Sequence, residues 1–121
     1  MIAGKRPWPV RLAAAAEDDS HEILRWTAEQ FGEEQASIYA KTLSAALEEL
    51  STGPKLIGAR ARSDIAKGLF MLHVARHGRK GRHFVMFRIG HDQRGEVIEV
   101  LRLLHDAMDL PRHLPPMDET T

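Results

Sequence analysis

Two amphipathic segments that meet at Gly32 constrain the fold of this chain more than any other feature. Apolar residues recur at helical spacing from Glu17 to Phe31, and again from about Glu33 to Leu50. The acidic run Glu17-Asp18-Asp19 lies in the first turn of the first segment, where the helix dipole favours negative charge. Because glycine commonly ends a helix, the pattern predicts a helical hairpin.

Segments of strand character flank this hairpin. One short strand is predicted before it, at Val10-Arg11-Leu12, and three after it, at Leu69 to Ala75, His83 to Ile89 and Glu96 to Leu104. Glycine-containing turns separate the last three, so we expect consecutive antiparallel pairing. The run Phe84 to Phe87 is apolar on both faces, which is typical of a central strand.

The length of 121 residues suits one packed core. We therefore predict a single domain over residues 1–121, with flexible tails at residues 1–9 and 115–121. The predicted fold class is α+β, with an N-terminal strand and a helical hairpin packed on a small antiparallel sheet. The connection between hairpin and sheet, residues 51–68, is expected to be irregular.

Several classes of protein are excluded by composition. The chain has no cysteine, so it forms no disulfides and no thiolate metal sites. Its apolar runs are too short to cross a bilayer, and the first seven residues lack the apolar core of a signal peptide. We expect a cytoplasmic protein without membrane contact.

Charge is distributed unevenly although the formal net charge is zero. From Glu17 to Glu49 there are nine acidic residues against Arg25 and Lys41. From Arg60 to Arg88 there are eight Lys or Arg residues against Asp64 alone. A local basic field attracts phosphates or acidic protein segments, although a solvated charged face is the simpler explanation.

Four stretches carry a family resemblance. In chain order they are Arg11 to Gly32, Ala59 to Leu69, Gly81 to Ile89, and Val100 to Asp109 followed by Pro111 to Leu114. Together they resemble ParE-type toxins of the ParE/RelE toxin–antitoxin family over nearly the whole chain. Two features depart from the family pattern: Ala14 or Ala15 replaces a usual proline, and the loop Arg76 to Arg82 is longer and more basic than is typical.

The resemblance implies the toxin component of a type II toxin–antitoxin system that inhibits DNA gyrase without catalysis or cofactor. It also implies neutralisation by a ParD-like antitoxin, a ribbon-helix-helix protein with a flexible acidic C-terminal tail, in a hetero-oligomer. DNA would be contacted only through the antitoxin or gyrase. The alternatives are a ribosome-dependent mRNA endonuclease of the RelE type, or a degenerate toxin kept as a structural partner of its antitoxin.

Site residues follow from the same resemblance. The toxic, target-binding surface is expected in the C-terminal part of the fold, at Arg102, His105, Met108 and Arg112. Expected antitoxin contacts are apolar and basic: Trp26, Leu72, Val74, Arg76, Arg82, Arg88 and Arg102. For the residues on the C-terminal part, the alternative is core filling for Met108 and a solvated tail for Arg112.

The residues themselves argue against RNA cleavage. An RNase of this superfamily needs cations together with an acid and a base. Tyr39 is the chain's only tyrosine, and its spacing places it on the helical core face, as does that of Phe31. No tyrosine or carboxylate is therefore expected beside the basic strands. His105 is the one credible proton donor, with a structural role at the chain reversal near Asp106 as the alternative. His73 and His77 would be separated by a turn, so we assign no metal.

Overall fold

The computed structural model describes residues 7–107. Its elements follow one another as β1 (Val10–Leu12), α1 (Ala14–Phe31), α2 (Glu33–Glu49), a 3-10 turn (Leu50–Thr52), β2 (Arg60–Ala61), β3 (Phe70–His73), β4 (His83–Asp92) and β5 (Gly95–His105). Met108, Arg112 and the predicted tail at residues 115–121 lie outside the described residues. The α+β class and the helical hairpin on an antiparallel sheet are confirmed.

The hairpin is built from α1 and α2. Helix α1 begins at Ala14, three residues before the predicted start, because the alanine run has high helix propensity. It ends at Gly32, whose backbone N–H donates to the Ala28 carbonyl over 2.9 Å. With a φ of 96°, Gly32 adopts a conformation that L side chains avoid, so the chain can reverse directly into α2.

The sheet has five strands in the order β1-β5-β4-β3-β2. The predicted meander forms its antiparallel centre, while β1 pairs in parallel with β5 at one edge. At the other edge lies β2, a two-residue strand that hydrophobic periodicity did not predict. The long β4 strand is thus central, as the run from Phe84 to Phe87 indicated, and β5 lies beside it.

Both faces of the sheet are apolar. The helices cover one face, where Leu43 and Leu50 of α2 pack in a cluster with Val85 and Phe87 of β4. On the opposite face, Met86 belongs to a smaller cluster, against which the connecting segment places partly buried apolar side chains. Because successive side chains of β4 point to opposite faces of the sheet, this strand contributes to both clusters.

A bulge in β5 sets the direction in which Arg102, a predicted site residue, extends. Phe87 pairs with Val100, whereas its neighbour Met86 pairs with Arg102, so β5 has one extra residue at Leu101. This bulge lets Val100 and Leu103 both join the core beneath the helices, with two residues between them. Arg102 consequently reaches toward α1.

The residues just before β1 are held by hydrogen bonds. The Trp8 backbone N–H donates to the Ser51 carbonyl over 2.8 Å, and Ile98 donates to the Pro9 carbonyl over 2.8 Å. Trp8 also packs against the main core. Within the predicted tail at residues 1–9, Trp8 and Pro9 therefore belong to the folded body.

No helix in the described part of the chain combines the length and apolarity needed to cross a membrane.

Candidate functional site

Arg102 is held inside the molecule by α1. Its guanidinium donates to Asp19 through Nε over 2.7 Å and Nη2 over 2.9 Å. The same carboxylate accepts the Leu103 backbone N–H over 2.9 Å. The hydrogen bonds from Arg102 raise the pKa of its guanidinium above the ordinary value. Since both charges are satisfied within the chain, Arg102 acts first as a link between helix and sheet.

Two other cations predicted to contact the antitoxin also have intramolecular partners. Arg76 donates through Nε to Glu49 at the end of α2, and its side chain is mostly buried. Arg88 donates through Nε to Glu99 on the neighbouring strand over 2.8 Å, and it is more exposed. The strands therefore present less uncompensated positive charge than the sequence suggests.

Of the apolar residues that the sequence analysis selected, some lie in the core and others on the surface. Leu72 and Val74 are each 1% exposed and belong to the main core, so the prediction that they contact an antitoxin does not fit the structure. Phe31, expected in the core, is 64% exposed, and that expectation is wrong. Trp26 is 56% exposed and contacts Phe31 edge-on, with ring centroids 5.7 Å apart. Both aromatic rings thus lie on the surface of the hairpin.

These rings border a groove of about 890 Å³ between the hairpin and the β3–β4 loop. The apolar side chains on the helical wall are Trp26, Phe31 and Ile38. The opposite wall is formed by the loop, with Arg79, Lys80 and Arg82. Residues His83 and His105 close one part of the groove. Trp26, a predicted antitoxin contact, thus lies at the edge of a groove.

Tyr39 lies in this groove beside the basic end of β4. Its hydroxyl accepts the Arg82 backbone N–H over 3.1 Å and lies 2.7 Å from the His83 Nδ1. The His83 and His105 rings meet edge-on with centroids 5.3 Å apart. The inference that no tyrosine stands beside the basic strands is therefore wrong, and so is the same inference for carboxylates, since Glu99 lies beside Arg88. Helical spacing located Tyr39 correctly on the inner face of α2, but it did not show that the hydroxyl extends to β4.

The environment of Tyr39 and His83 changes the acid–base properties of both side chains. Burial lowers the pKa of His83 to about 4, and the neighbouring His105 adds to the effect. Burial likewise raises the pKa of the Tyr39 hydroxyl above its ordinary value. Near neutral pH His83 is neutral and Tyr39 is protonated, so the hydroxyl donates to the ring nitrogen.

His73 and His105 have their Nδ1 atoms occupied by backbone donors. Ala75 N–H donates to His73, and Ala107 N–H donates to His105, each over 3.0 Å. The proton of each neutral ring is therefore on Nε2, from which His73 donates to Asp106 over 2.9 Å. That hydrogen bond holds the pKa of Asp106 below its ordinary value. The backbone bond to His105 matches its structural interpretation at the chain reversal.

Among the basic residues predicted to contact the antitoxin, Arg82 is the most exposed, with 70% of its side chain accessible and Asp106 at 3.4 Å from its Nε. Sequence reasoning did not select Tyr39, His83 or Asp19 as site residues. The signal that could have selected Tyr39 is that it is the only tyrosine in the chain. Within residues 7–107 no group of three or more His, Asp or Glu side chains is arranged to hold a metal ion.

Sequence comparisons with known proteins agree on one family. A family model described as the ParE toxin of the type II toxin–antitoxin system parDE matches residues 10–110. Toxin ParE1 of Caulobacter vibrioides is 28% identical over 106 residues, which cover 88% of this chain and 97% of that protein. Toxin ParE1 of Mycobacterium tuberculosis is 31% identical over 104 residues, which cover 85% and 94%.

Solved structures show the same fold. A chain of the chromosomal ParDE system from P. aeruginosa has a TM-score of 0.66 at 16% identity, covering 84% of this chain and 98% of that one. A YoeB/ParE toxin from Agrobacterium tumefaciens has a TM-score of 0.53 at 12% identity, covering 80% and 96%. The family model spans most of the chain, and the relatives match along nearly their whole length. The chain therefore belongs to the ParE toxin family of type II toxin–antitoxin systems.

Proposed function

We propose that this toxin binds DNA gyrase, leaves the enzyme's cleaved DNA unresealed, and is neutralised by a ParD-like antitoxin. Gyrase is the target that the resemblance to the ParE branch implies. The observation that supports a binding role over RNA cleavage is the pairing of three cations that lie on the strands or in the β3–β4 loop. Arg76, Arg88 and Arg102 are each engaged by a carboxylate of the same chain.

This pairing matters because phosphodiester cleavage needs cations whose charge is available to the scissile phosphate. A cation already held by a carboxylate must give up that carboxylate to bind the phosphate, which reduces the stabilisation that it can supply. A protein-binding toxin has no such requirement, since paired residues still provide a rigid, shaped surface. The geometry of the sheet is therefore better suited to binding a protein.

RNA cleavage remains the second candidate, favoured by the cluster of Tyr39, His83 and His105 next to Arg82. The protonation states of this cluster argue against RNA cleavage. With a pKa of about 4, His83 is a poor base at neutral pH, and the Tyr39 proton is already donated to it. For His105 to accept a proton at Nε2, its ring would have to give up the hydrogen bond from Ala107.

Purified components would test the proposal. The toxin is incubated with gyrase, ATP and supercoiled plasmid, and linear DNA is measured after protein removal. We expect cleaved DNA to accumulate with the free toxin and not with the toxin bound to its antitoxin. In cells, DNA breaks and the SOS response should precede translation arrest. Cleavage of mRNA at ribosomal A-site codons without any gyrase-linked breaks would overturn the proposal in favour of the nuclease.

A further inference from the structure

Asp106 joins the end of β5 to residues at the adjacent ends of β3 and β4. Its backbone N–H donates to the Arg82 carbonyl over 2.8 Å, which continues the β4–β5 pairing one residue beyond His105. Its carboxylate accepts a hydrogen bond from the His73 Nε2, at the end of β3, over 2.9 Å. The second carboxylate oxygen lies 3.4 Å from the Arg82 Nε. One residue therefore connects the ends of three strands.

The groups that bind Asp106 are held in place by other contacts. The Arg82 N–H donates to the Tyr39 hydroxyl over 3.1 Å, so the start of β4 is attached to α2. The His73 ring meets Phe84 edge-on, with ring centroids 4.9 Å apart, and its Nδ1 accepts a backbone hydrogen bond. Because the Arg82 backbone and the His73 ring are both oriented by these contacts, the hydrogen bonds that they form restrict the position of Asp106.

These contacts determine the direction in which the chain leaves β5. Just past Asp106, the Ala107 N–H donates to the His105 Nδ1 over 3.0 Å. The side chains of Asp106 and His73 are 24% and 31% exposed, so water reaches their hydrogen bond only in part. Hydrogen bonds to a charged group are stronger than those between neutral groups, and they strengthen further as water is excluded. The chain is therefore held in one direction as far as Ala107, where the described residues end.

The residues that follow include part of the expected toxic surface. Met108 and Arg112, two of the four residues expected to contact the target, lie two and six positions beyond Asp106. A segment that starts in a fixed direction loses less conformational freedom when it binds than one whose start is free. Fixing this start would therefore strengthen binding of the target without any contact between Asp106 and the target.

We propose that Asp106 is a positioning residue for toxicity: by fixing the direction in which the chain leaves β5, it prepares the residues that follow to bind gyrase. This role rests on the proposed function, because gyrase is the target that it requires. It goes beyond that function by assigning a task to a residue that the sequence analysis considered only as the site of a chain reversal. Asp106 need not touch gyrase, since its carboxylate is already bound by His73 and Arg82.

Gyrase-dependent DNA cleavage tests this role with purified full-length variants. Asp106→Ala removes the carboxylate, whereas Asp106→Asn keeps an oxygen that can accept the hydrogen bond from His73. The control Asp92→Ala removes a carboxylate of similar exposure, 19%, which Arg11 and the Arg94 N–H bind at the opposite end of β4 and β5. We expect the toxin concentration for half-maximal cleaved DNA to rise about 5-fold to 30-fold for Asp106→Ala, and less than about threefold for the other two variants.

The partner residue His73 gives a second test. A His73→Phe variant keeps a ring beside Phe84 but cannot donate to Asp106, so it should reduce cleavage by a similar factor. Combined with Asp106→Ala it should add little, because both changes remove the same hydrogen bond. Amide hydrogen exchange needs no target: in both single variants the Ala107 amide should exchange about 10-fold faster or more, while the central amides of β4 keep their rates. A purely structural role would instead speed exchange across the sheet.

Two results would overturn the role of Asp106. One is wild-type potency of Asp106→Ala against gyrase despite faster exchange at Ala107. The other is an equal loss of potency in Asp106→Ala and Asp92→Ala, which would indicate a loss of stability alone. Absence of cleaved DNA with the wild-type toxin would overturn the proposed function itself, and the role of Asp106 in binding gyrase with it.

Discussion

Removing the Asp19 carboxylate should loosen the junction between α1 and the end of β5. Asp19 accepts two hydrogen bonds from Arg102 and one from the Leu103 backbone. The side chains of Asp19 and Arg102 are 16% and 27% exposed, so water can replace these bonds only in part. An Asp19→Ala variant leaves a guanidinium and a backbone N–H without this partner.

The size of the effect follows from this intermediate burial. Breaking a fully buried pair costs ~3–5 kcal/mol, whereas an exposed pair contributes ~0–1 kcal/mol. For Asp19→Ala we therefore expect a loss of about 2–3 kcal/mol in the free energy of unfolding. At roughly 4 °C per kcal/mol for a domain of this size, the melting temperature should fall by about 8–12 °C.

A double-mutant cycle separates the pair from other losses. Urea unfolding of Asp19→Ala, Arg102→Ala and the double variant should give a coupling energy of about 1–2 kcal/mol. The matched pair is Arg88 with Glu99, whose side chains are 45% and 32% exposed and whose coupling should be no more than ~0.5 kcal/mol. A coupling for Asp19 and Arg102 no larger than that of the exposed pair would refute the reasoning.

Three further predictions concern the groove. Because burial lowers the pKa of His83 to about 4, the unfolded chain binds more protons below pH 6.5, and stability should fall by about 1–2 kcal/mol between pH 7 and pH 5. A His83→Gln variant should lose that part of the slope in urea unfolding. A Gly81→Ala variant places Cβ 2.5 Å from Val74 Cγ2 and should cost ~1–3 kcal/mol, measured in the same way. His105→Gln, if normally folded, should still arrest growth, whereas a general acid would contribute roughly a hundredfold or more to cleavage.

Local sequence patterns predicted the helices and main strands of this fold because each of these elements depends on residues that are close in sequence. Helical periodicity and Gly32 located the hairpin, and glycine-containing turns separated the three main strands. The two-residue strand β2 is too short for any periodicity, and the parallel pairing of β1 depends on where β5 lies. Phe31 was misplaced because a helical stripe shows which side chains share a face, and does not show what covers that face.

The candidate site was harder to predict because its chemistry depends on pairs that are distant in sequence. Asp19 and Arg102 are 83 residues apart, and Tyr39 and His83 are 44 apart. A sequence lists every cation between Arg60 and Arg88 as equally available, yet pairing removes charge from some and leaves it on others. In the folded chain Arg76 and Arg88 are paired with carboxylates, while Arg79 and Lys80 are exposed in the β3–β4 loop. Since attraction for an acidic partner depends on uncompensated charge, contacts between residues distant in sequence decide which of these cations can supply it.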